Sequence, residues 1–152
     1  MSYELLSEPL RRYIRDKRWE EFRPIQAAAI SKLLTTSENY ILASKTASGK
    51  TEAAFLPILS MADFSETGIQ VLYISPLIAL INDQLDRVEE LCKYIDVPVT
   101  KWHGETKQSI KNKVIKEPRG IMLITPESLE AMFVNRPYYV DLLFSNLKFV
   151  IV

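Results

Sequence analysis

The sequence predicts an α/β fold, a parallel sheet of about five strands flanked by helices and preceded by a helical N-terminal segment. Short apolar runs of Ile, Val, Leu and Tyr recur with little polar alternation, as strands buried on both faces require. Between them lie stretches whose apolar residues repeat at spacings of three and four. The run Ser44-Lys45-Thr46-Ala47-Ser48-Gly49-Lys50-Thr51-Glu52 separates the first such strand from the first such helix.

The first strand is Tyr40 to Ala43, and its helix begins at Gly49 and carries Ala53, Ala54, Phe55 and Leu56. Pro57 lies inside that helix and costs about 3 kcal/mol if truly interior, so a kink or an early end is expected. The second strand, Ile69 to Ile74, is followed by a helix from about Leu77 to Lys93 with Leu77, Ile81, Leu85, Val88 and Cys92 on one face. The third is Val97 to Trp102, followed by a Lys-rich helix from Gln108 to Lys116. The fourth is Gly120 to Ile124, followed by a helix from Pro126 to about Val134, and a short helix from Tyr138 to Phe144 leads into the last strand, Lys148 to Val152. Right-handed crossovers would align the strand C-termini along one edge, where ligands of such sheets bind. Upstream, one amphipathic stretch near Leu5 to Arg15 and a second from Arg23 to Leu34 reach the first strand through Thr35-Thr36-Ser37. Residues 1–36 therefore read as a helical preface and 37–152 as a partial α/β domain, one globular unit overall.

At 152 residues and 47% hydrophobic, the chain supports one domain with a real core and gives no argument for two. Acidic and basic residues balance at 19 each, so net charge does not advertise nucleic acid. Two local clusters remain: Arg11, Arg12, Arg15, Lys17 and Arg18, and later Lys107, Lys111, Lys113 and Lys116. Each reads either as a solvated helix face or as a binding stripe. The single cysteine, Cys92, implies no disulfide framework and no metal cluster, and fits a reduced, cytoplasmic compartment. Met1 to Leu10 lacks the charged start and long apolar run of a signal peptide, and no apolar stretch approaches membrane-spanning length.

Strand before and helix after give the Ser44 to Glu52 run the context of a phosphate-binding loop. In such a loop successive backbone N–H groups turn toward the phosphates, and the helix N-terminus adds partial positive charge. Lys50 would reach the β- and γ-phosphates, Thr51 would offer its hydroxyl to Mg²⁺, and Gly49 would let the backbone approach closely. Ser44 stands where the general pattern has Gly, and Ala47 is another small residue in place of Gly.

Two later strands end in Ser75-Pro76-Leu77 and Thr125-Pro126-Glu127. In both, the hydroxyl residue is suited to cap a helix and Pro to fill its first position. Free backbone donors there would suit a nucleic-acid phosphate, unless these are only good helix starts. Arg18-Trp19-Glu20-Glu21-Phe22-Arg23-Pro24-Ile25-Gln26 combines a flat ring, a guanidinium and an amide. Stacking on Trp19 with Gln26 bonded to N6 and N7 would recognise adenine; alternatively Trp19 and Phe22 are core anchors. His103, the only histidine, ends the third strand in Trp102-His103-Gly104 and has no nucleophile motif around it, so it reads as a groove or turn residue rather than a general base.

In order and spacing these motifs resemble the first RecA-like domain of a superfamily 2 helicase of DEAD/DEAH-box type. Thr46 to Ala54 is similar to motif I of Lhr-type DNA helicases, and Arg18 to Gln26 to the RecQ-type motif 0 and, more loosely, to the Q motif. Ser75 to Leu80 with Gln84 resembles motif Ia, Trp102-His103-Gly104 the strand-end glycine motif, and Thr125 to Leu129 motif Ib. The resemblance implies a P-loop NTPase fold, ATP and Mg²⁺ as cofactors, and Trp19, Arg23 and Gln26 with Thr46 to Glu52 as the nucleotide site. It implies nucleic acid, DNA before RNA, held mainly by its backbone at Ser75, Pro76, Leu77, His103, Gly104, Thr125, Pro126 and Glu127. A second RecA-like domain would be a further partner.

The family pattern continues beyond a strand like Phe149 to Val152 with an Asp-Glu motif that this sequence does not contain. The expectation is therefore a fragment with an incomplete sheet: Lys148 to Val152 would leave a gap, move against the first strand, or pair with another molecule. Lys50 and Thr51 would form an incomplete catalytic site, without turnover or unwinding. A DNA translocase motor and a non-catalytic interaction module with the same fold are the alternatives.

Overall fold

The computed structural model describes residues 2–152, which form two compact units divided after Met61. The first contains α1 (Ser2–Leu5), α2 (Glu8–Asp16), α3 (Pro24–Thr35) and α4 (Lys50–Met61). The amphipathic stretch expected near Leu5 to Arg15 is α2, with the short α1 ahead of it. Ser7 is extended and Pro9 sits in the first turn of α2, where its missing N–H costs no helix bond. α2 ends with Arg18 in the left-handed region at φ 54°, and Trp19 N–H reaches back to Ile14 O at 3.2 Å. α3 packs on α4, and Ile30, Phe55 and Leu56 are fully buried.

α4 does not stop early at Pro57; it continues to Met61, with Phe55, Leu56, Pro57, Ile58 and Leu59 all buried. Burial of a side chain of this size stabilises by about 1.5–3 kcal/mol, enough to offset the proline. Tyr40 to Ala43 corrects the expectation of a first strand: the segment forms no strand, and Ile41 is 95% exposed. Extended backbone becomes a strand only when a neighbour accepts its ladder bonds, and this segment has none.

The second unit is built on four parallel strands rather than five: β1 (Gly68–Ile74), β2 (Val99–Trp102), β3 (Arg119–Ile124) and β4 (Phe149–Ile151), in the order β2-β3-β1-β4. Helices α5 (Ile78–Cys92), α6 (Gln108–Lys116), α7 (Pro126–Asn135) and α8 (Pro137–Phe144) follow the sequence expectation closely. Ile69, Leu72, Trp102, Met122 and Ile124 of the sheet pack with Val114, Met132 and Leu143 from α6, α7 and α8. α5 packs on β2 and β3 through a separate face that buries Ile81, Val88, Leu91 and Cys92. Burial, and next the charge of Glu89, push the Cys92 thiol up to about 12, so it is inert packing.

Register determines what the sheet presents. Ile124 of β3 pairs with Ile74 of β1 on one side and with Trp102 of β2 on the other. Ser75, His103 and Thr125, the next residues of the three strands, therefore leave the sheet side by side.

Candidate nucleotide and nucleic-acid sites

In the first unit, three of the expected nucleotide-site elements come together. Arg23 opens α3, and its N–H donates to Gln26 Oε1 at 3.0 Å, the reach-back bond of a helix-capping residue. Gln26 Nε2 lies 3.4 Å from Gly49 O, and the Arg23 guanidinium donates to Ala47 O. Gln26 is buried. Its carboxamide is thus spent on α3 and the loop, so contacting adenine N6 and N7 requires it to exchange those bonds. Trp19 is half-buried, edge-on to Tyr13 at 5.9 Å and to Phe22 at 6.3 Å.

The loop itself has the backbone of a phosphate cradle. Ala47 at φ 58° and Gly49 at φ 82° are both left-handed, the conformation that turns neighbouring N–H groups into a concavity. Gly49 is required twice over, because a Cβ there would also collide with the Gln26 amide. Lys50 Nζ donates to Ser44 O at 2.8 Å and Lys45 O at 3.0 Å, folding the ammonium against the loop. Ser48 Oγ is buried with no hydrogen-bond partner. An orphaned hydroxyl in a loop of this backbone conformation fits a ligand oxygen. Thr46 is exposed, and Thr51 and Glu52 lie half-buried in the first turn of α4. No group of three or more His, Cys, Asp and Glu among the described residues could hold a metal, so a cation here would depend on Thr51 and on phosphate oxygens.

In the second unit, the two Ser-Pro and Thr-Pro strand ends behave differently. Thr125 is the N-cap of α7, its Oγ1 accepts from Ser128 N–H at 3.3 Å, and Pro126 follows in the first turn with Glu127 beside the helix N-terminus. Ser75 does not cap α5, contrary to expectation. Its N–H still bonds Ile124 O at 3.0 Å, its hydroxyl turns to Tyr73, and Pro76 precedes the actual N-cap, Leu77. α5 begins only at Ile78, so its N-cap falls two residues beyond Ser75. Pro76 and Leu77 are exposed, Leu77 by 57%.

His103 is buried and built into a turn. Its N–H donates to Thr106 Oγ1 at 3.1 Å, Thr106 N–H returns to His103 O at 3.0 Å, and Glu105 N–H donates to His103 Nδ1 at 3.1 Å. Burial and, next, the Lys101 charge hold its pKa below the ordinary 6.5. Gly104 is exposed with open space around its α-carbon. Sequence reasoning does not single out Asn82, an exposed polar residue on α5 whose Oδ1 lies 3.4 Å from both His103 Nε2 and Lys101 Nζ. Of the basic clusters, Arg11 and Arg15 pair with Glu8 at 3.0 and 2.7 Å, which favours the solvated-face reading there. Lys111 stands 5.3 Å over the Trp102 ring. A cavity of about 540 Å³ opens beside Cys92, Val99 and Arg119, at the opposite end of the strands from His103 and Thr125.

The second unit is a parallel α/β sheet with loops gathered at its strand C-termini, the edge where ligands of such sheets bind, and in the first unit a left-handed loop opens α4 at Gly49-Lys50-Thr51. The chain belongs to the DEAD/DEAH box helicase family, which matches residues 23–152. It is 36% identical to the ATP-dependent helicase Lhr-Core of Methanocaldococcus jannaschii, over 99% of this chain and 20% of that protein. Lhr-Core protein 2 of Thermococcus barophilus is 36% identical over 99% of this chain and 19% of its own length. Among solved structures, helicase Lhr of Mycobacterium smegmatis bound to ssDNA and AMP-PNP is similar with TM-score 0.81 and 26% identity, covering 98% of this chain and 20% of that one. The DUF1998 helicase MrfA bound to DNA gives TM-score 0.82 and 28% identity, over 97% of this chain and 21% of that one. The chain therefore spans about a fifth of the length of these relatives. No helix of the described residues is long and apolar enough to cross a membrane.

Proposed function

We propose that these 152 residues are the ATP-binding and nucleic-acid-contacting part of a superfamily 2 helicase motor, with residues 1–36 as preface and 37–152 as a partial RecA-like domain. The observation that carries the nucleotide half is the closed set Arg23, Gln26, Ala47 and Gly49, which ties the adenine-recognition segment to the phosphate loop. Trp19, Arg23 and Gln26 take the base side, and Thr46, Ala47, Ser48, Gly49, Lys50, Thr51 and Glu52 the phosphate side. Lys50 leaves the Ser44 and Lys45 carbonyls to meet the β- and γ-phosphates, and Ser48 Oγ gains the partner it lacks. Thr51 would hold Mg²⁺, which when bound screens the phosphate charge.

The nucleic-acid half rests on register. Ser75, Pro76 and Leu77, His103 and Gly104, and Thr125, Pro126 and Glu127 share one edge of the second unit, suited to sequence-independent backbone contact with DNA before RNA. Among similar solved structures, helicase Lhr is bound to ssDNA and AMP-PNP and helicase MrfA to DNA. The chain by itself binds nucleotide weakly and does not turn it over, because the water-orienting carboxylate of the family pattern is not among its residues. The second RecA-like domain of a longer parent is the expected functional partner, and self-association through the β4 edge the alternative. Fluorescent-ATP binding against a Lys50→Ala control tests the first half; steady turnover above that control overturns the inactive reading. Binding of single-stranded oligonucleotide across a salt series tests the second, and affinity independent of salt overturns backbone contact.

A further inference from the structure

The ring of His103 has defined chemistry at both nitrogens. Nδ1 accepts from Glu105 N–H at 3.1 Å, so it carries no proton, and Nε2–H points to Asn82 Oδ1 at 3.4 Å. This single side chain joins the turn after β2 to α5, the helix that follows Ser75-Pro76-Leu77. We propose that neutral His103, accepting from Glu105 N–H at Nδ1 and donating to Asn82 Oδ1 from Nε2, is a positioning latch that holds the His103 to Thr106 turn against α5 for nucleic-acid backbone contact, and that protonation at Nδ1 releases the Glu105 side of the turn. The proposal rests on the nucleic-acid reading above.

Protonating Nδ1 would set two N–H donors face to face, His103 Nδ1–H against Glu105 N–H, and the turn must give way. The charged groups facing the ring are Lys101 from β2, Glu105 from the turn itself and Lys111 from α6, while α5 contributes the neutral Asn82. Both lysines disfavour the imidazolium, which keeps the latch shut near neutral pH. The sign of the effect separates this device from simple charge. An added positive charge alone would strengthen contact with phosphates; an opening latch weakens it.

His103 is the only histidine, so NMR of the whole chain reads its tautomer and titration without ambiguity. The expected results are the Nε2–H tautomer, a Glu105 amide resonance moving with the His103 midpoint, and oligothymidylate affinity falling at least about threefold through that midpoint at constant ionic strength. Asn82→Asp, which places a carboxylate beside Nε2, should raise the midpoint by about one unit and carry the binding profile with it. An Nδ1–H tautomer, a Glu105 amide that ignores the titration, or affinity that rises on acidification overturns the latch. Absence of binding at every pH, with the tautomer and the Glu105 response intact, instead overturns the nucleic-acid reading and with it the positioning role.

Discussion

Gly120→Ala is the substitution that most directly tests how the sheet positions the edge. Gly120, the second residue of β3, lies at φ 85°, a conformation costing an alanine about 1–2 kcal/mol. The new Cβ would sit well under 3.0 Å from Pro98 O and 3.1 Å from Pro98 Cγ and Val97 Cγ1. Pro98 O accepts from Ile121 N–H at 3.1 Å, and Ile121 is fully buried. Moving that carbonyl leaves a buried donor unpaired, a further loss of about 1–3 kcal/mol. The restricted unfolded chain of the alanine variant returns about 0.4–1 kcal/mol. The net loss is about 2–4 kcal/mol, or roughly 4–16 °C in melting temperature for a chain of this size. Urea unfolding followed by Trp fluorescence reads the free energy, and maleimide labelling of buried Cys92 reads the opening of the same unit. If opening precedes labelling, the labelling rate rises by roughly 30- to 1,000-fold. Gly104→Ala is the control, since nothing lies within 4 Å of a Cβ there. A Gly120→Ala variant within 1 kcal/mol of the parent would refute the claim that this close approach fixes the β2–β3 register.

Lys50→Ala should weaken ATP binding by about 5- to 30-fold, the loss of one or two bonds each worth about 1 kcal/mol after exchange, and fluorescence titration with unchanged circular dichroism would show it. Thr125→Ala should lower stability by about 1 kcal/mol through loss of the α7 cap, with Thr125→Ser recovering most of it in urea melts. The His103 pKa is depressed on folding, so below its ordinary 6.5 the unfolded chain binds more protons than the folded one. Stability is therefore full above that value and declines as pH falls toward the depressed pKa. Melts between pH 7.5 and 5.5 should show this slope, and His103→Gln should flatten it. That window lies above the carboxylate range of Glu8 and Asp63, both lowered by their hydrogen-bond partners.

The elements most legible in the sequence carry their own signal. Helix α6 matches its expected bounds because its polar run is closed by Pro118, and β1 and β3 are apolar runs too short and too β-branched for helices. Tyr40 to Ala43 has a similar composition, yet forms no strand, because pairing depends on a neighbour that composition does not report. The Ser-Pro and Thr-Pro ends look equivalent as strings. They differ in outcome: Ser75 N–H bonds Ile124 O and the capping position falls to Leu77, whereas Thr125 Oγ1 accepts from Ser128 N–H. Among the candidate site residues, the spacing that singles out Gly49 and Lys50 coincides with a left-handed Gly49 at the entry of α4. Asn82 was not legible in the sequence, because one amide on an exposed helix face becomes informative only when His103 lies against it.

The loop geometry also constrains how tightly nucleotide can bind. Lys50 already makes two hydrogen bonds to loop carbonyls, and Gln26 satisfies both Arg23 N–H and Gly49 O. A phosphate therefore gains only the difference between a charged acceptor and the carbonyls it replaces, about 1 kcal/mol per bond rather than the full strength of each. Adenine meets the same condition at Gln26, whose burial removes the option of leaving its donors to water. Ser48 Oγ is the exception, since it has nothing to exchange and its bond to a phosphate oxygen is a clear gain. On the proposed nucleotide reading, affinity from this unit would be modest and weighted toward the phosphates. The same exchange makes occupancy of the phosphate loop felt at Gln26 and at the N-terminus of α3, which the Arg23 and Gln26 bonds tie to the loop.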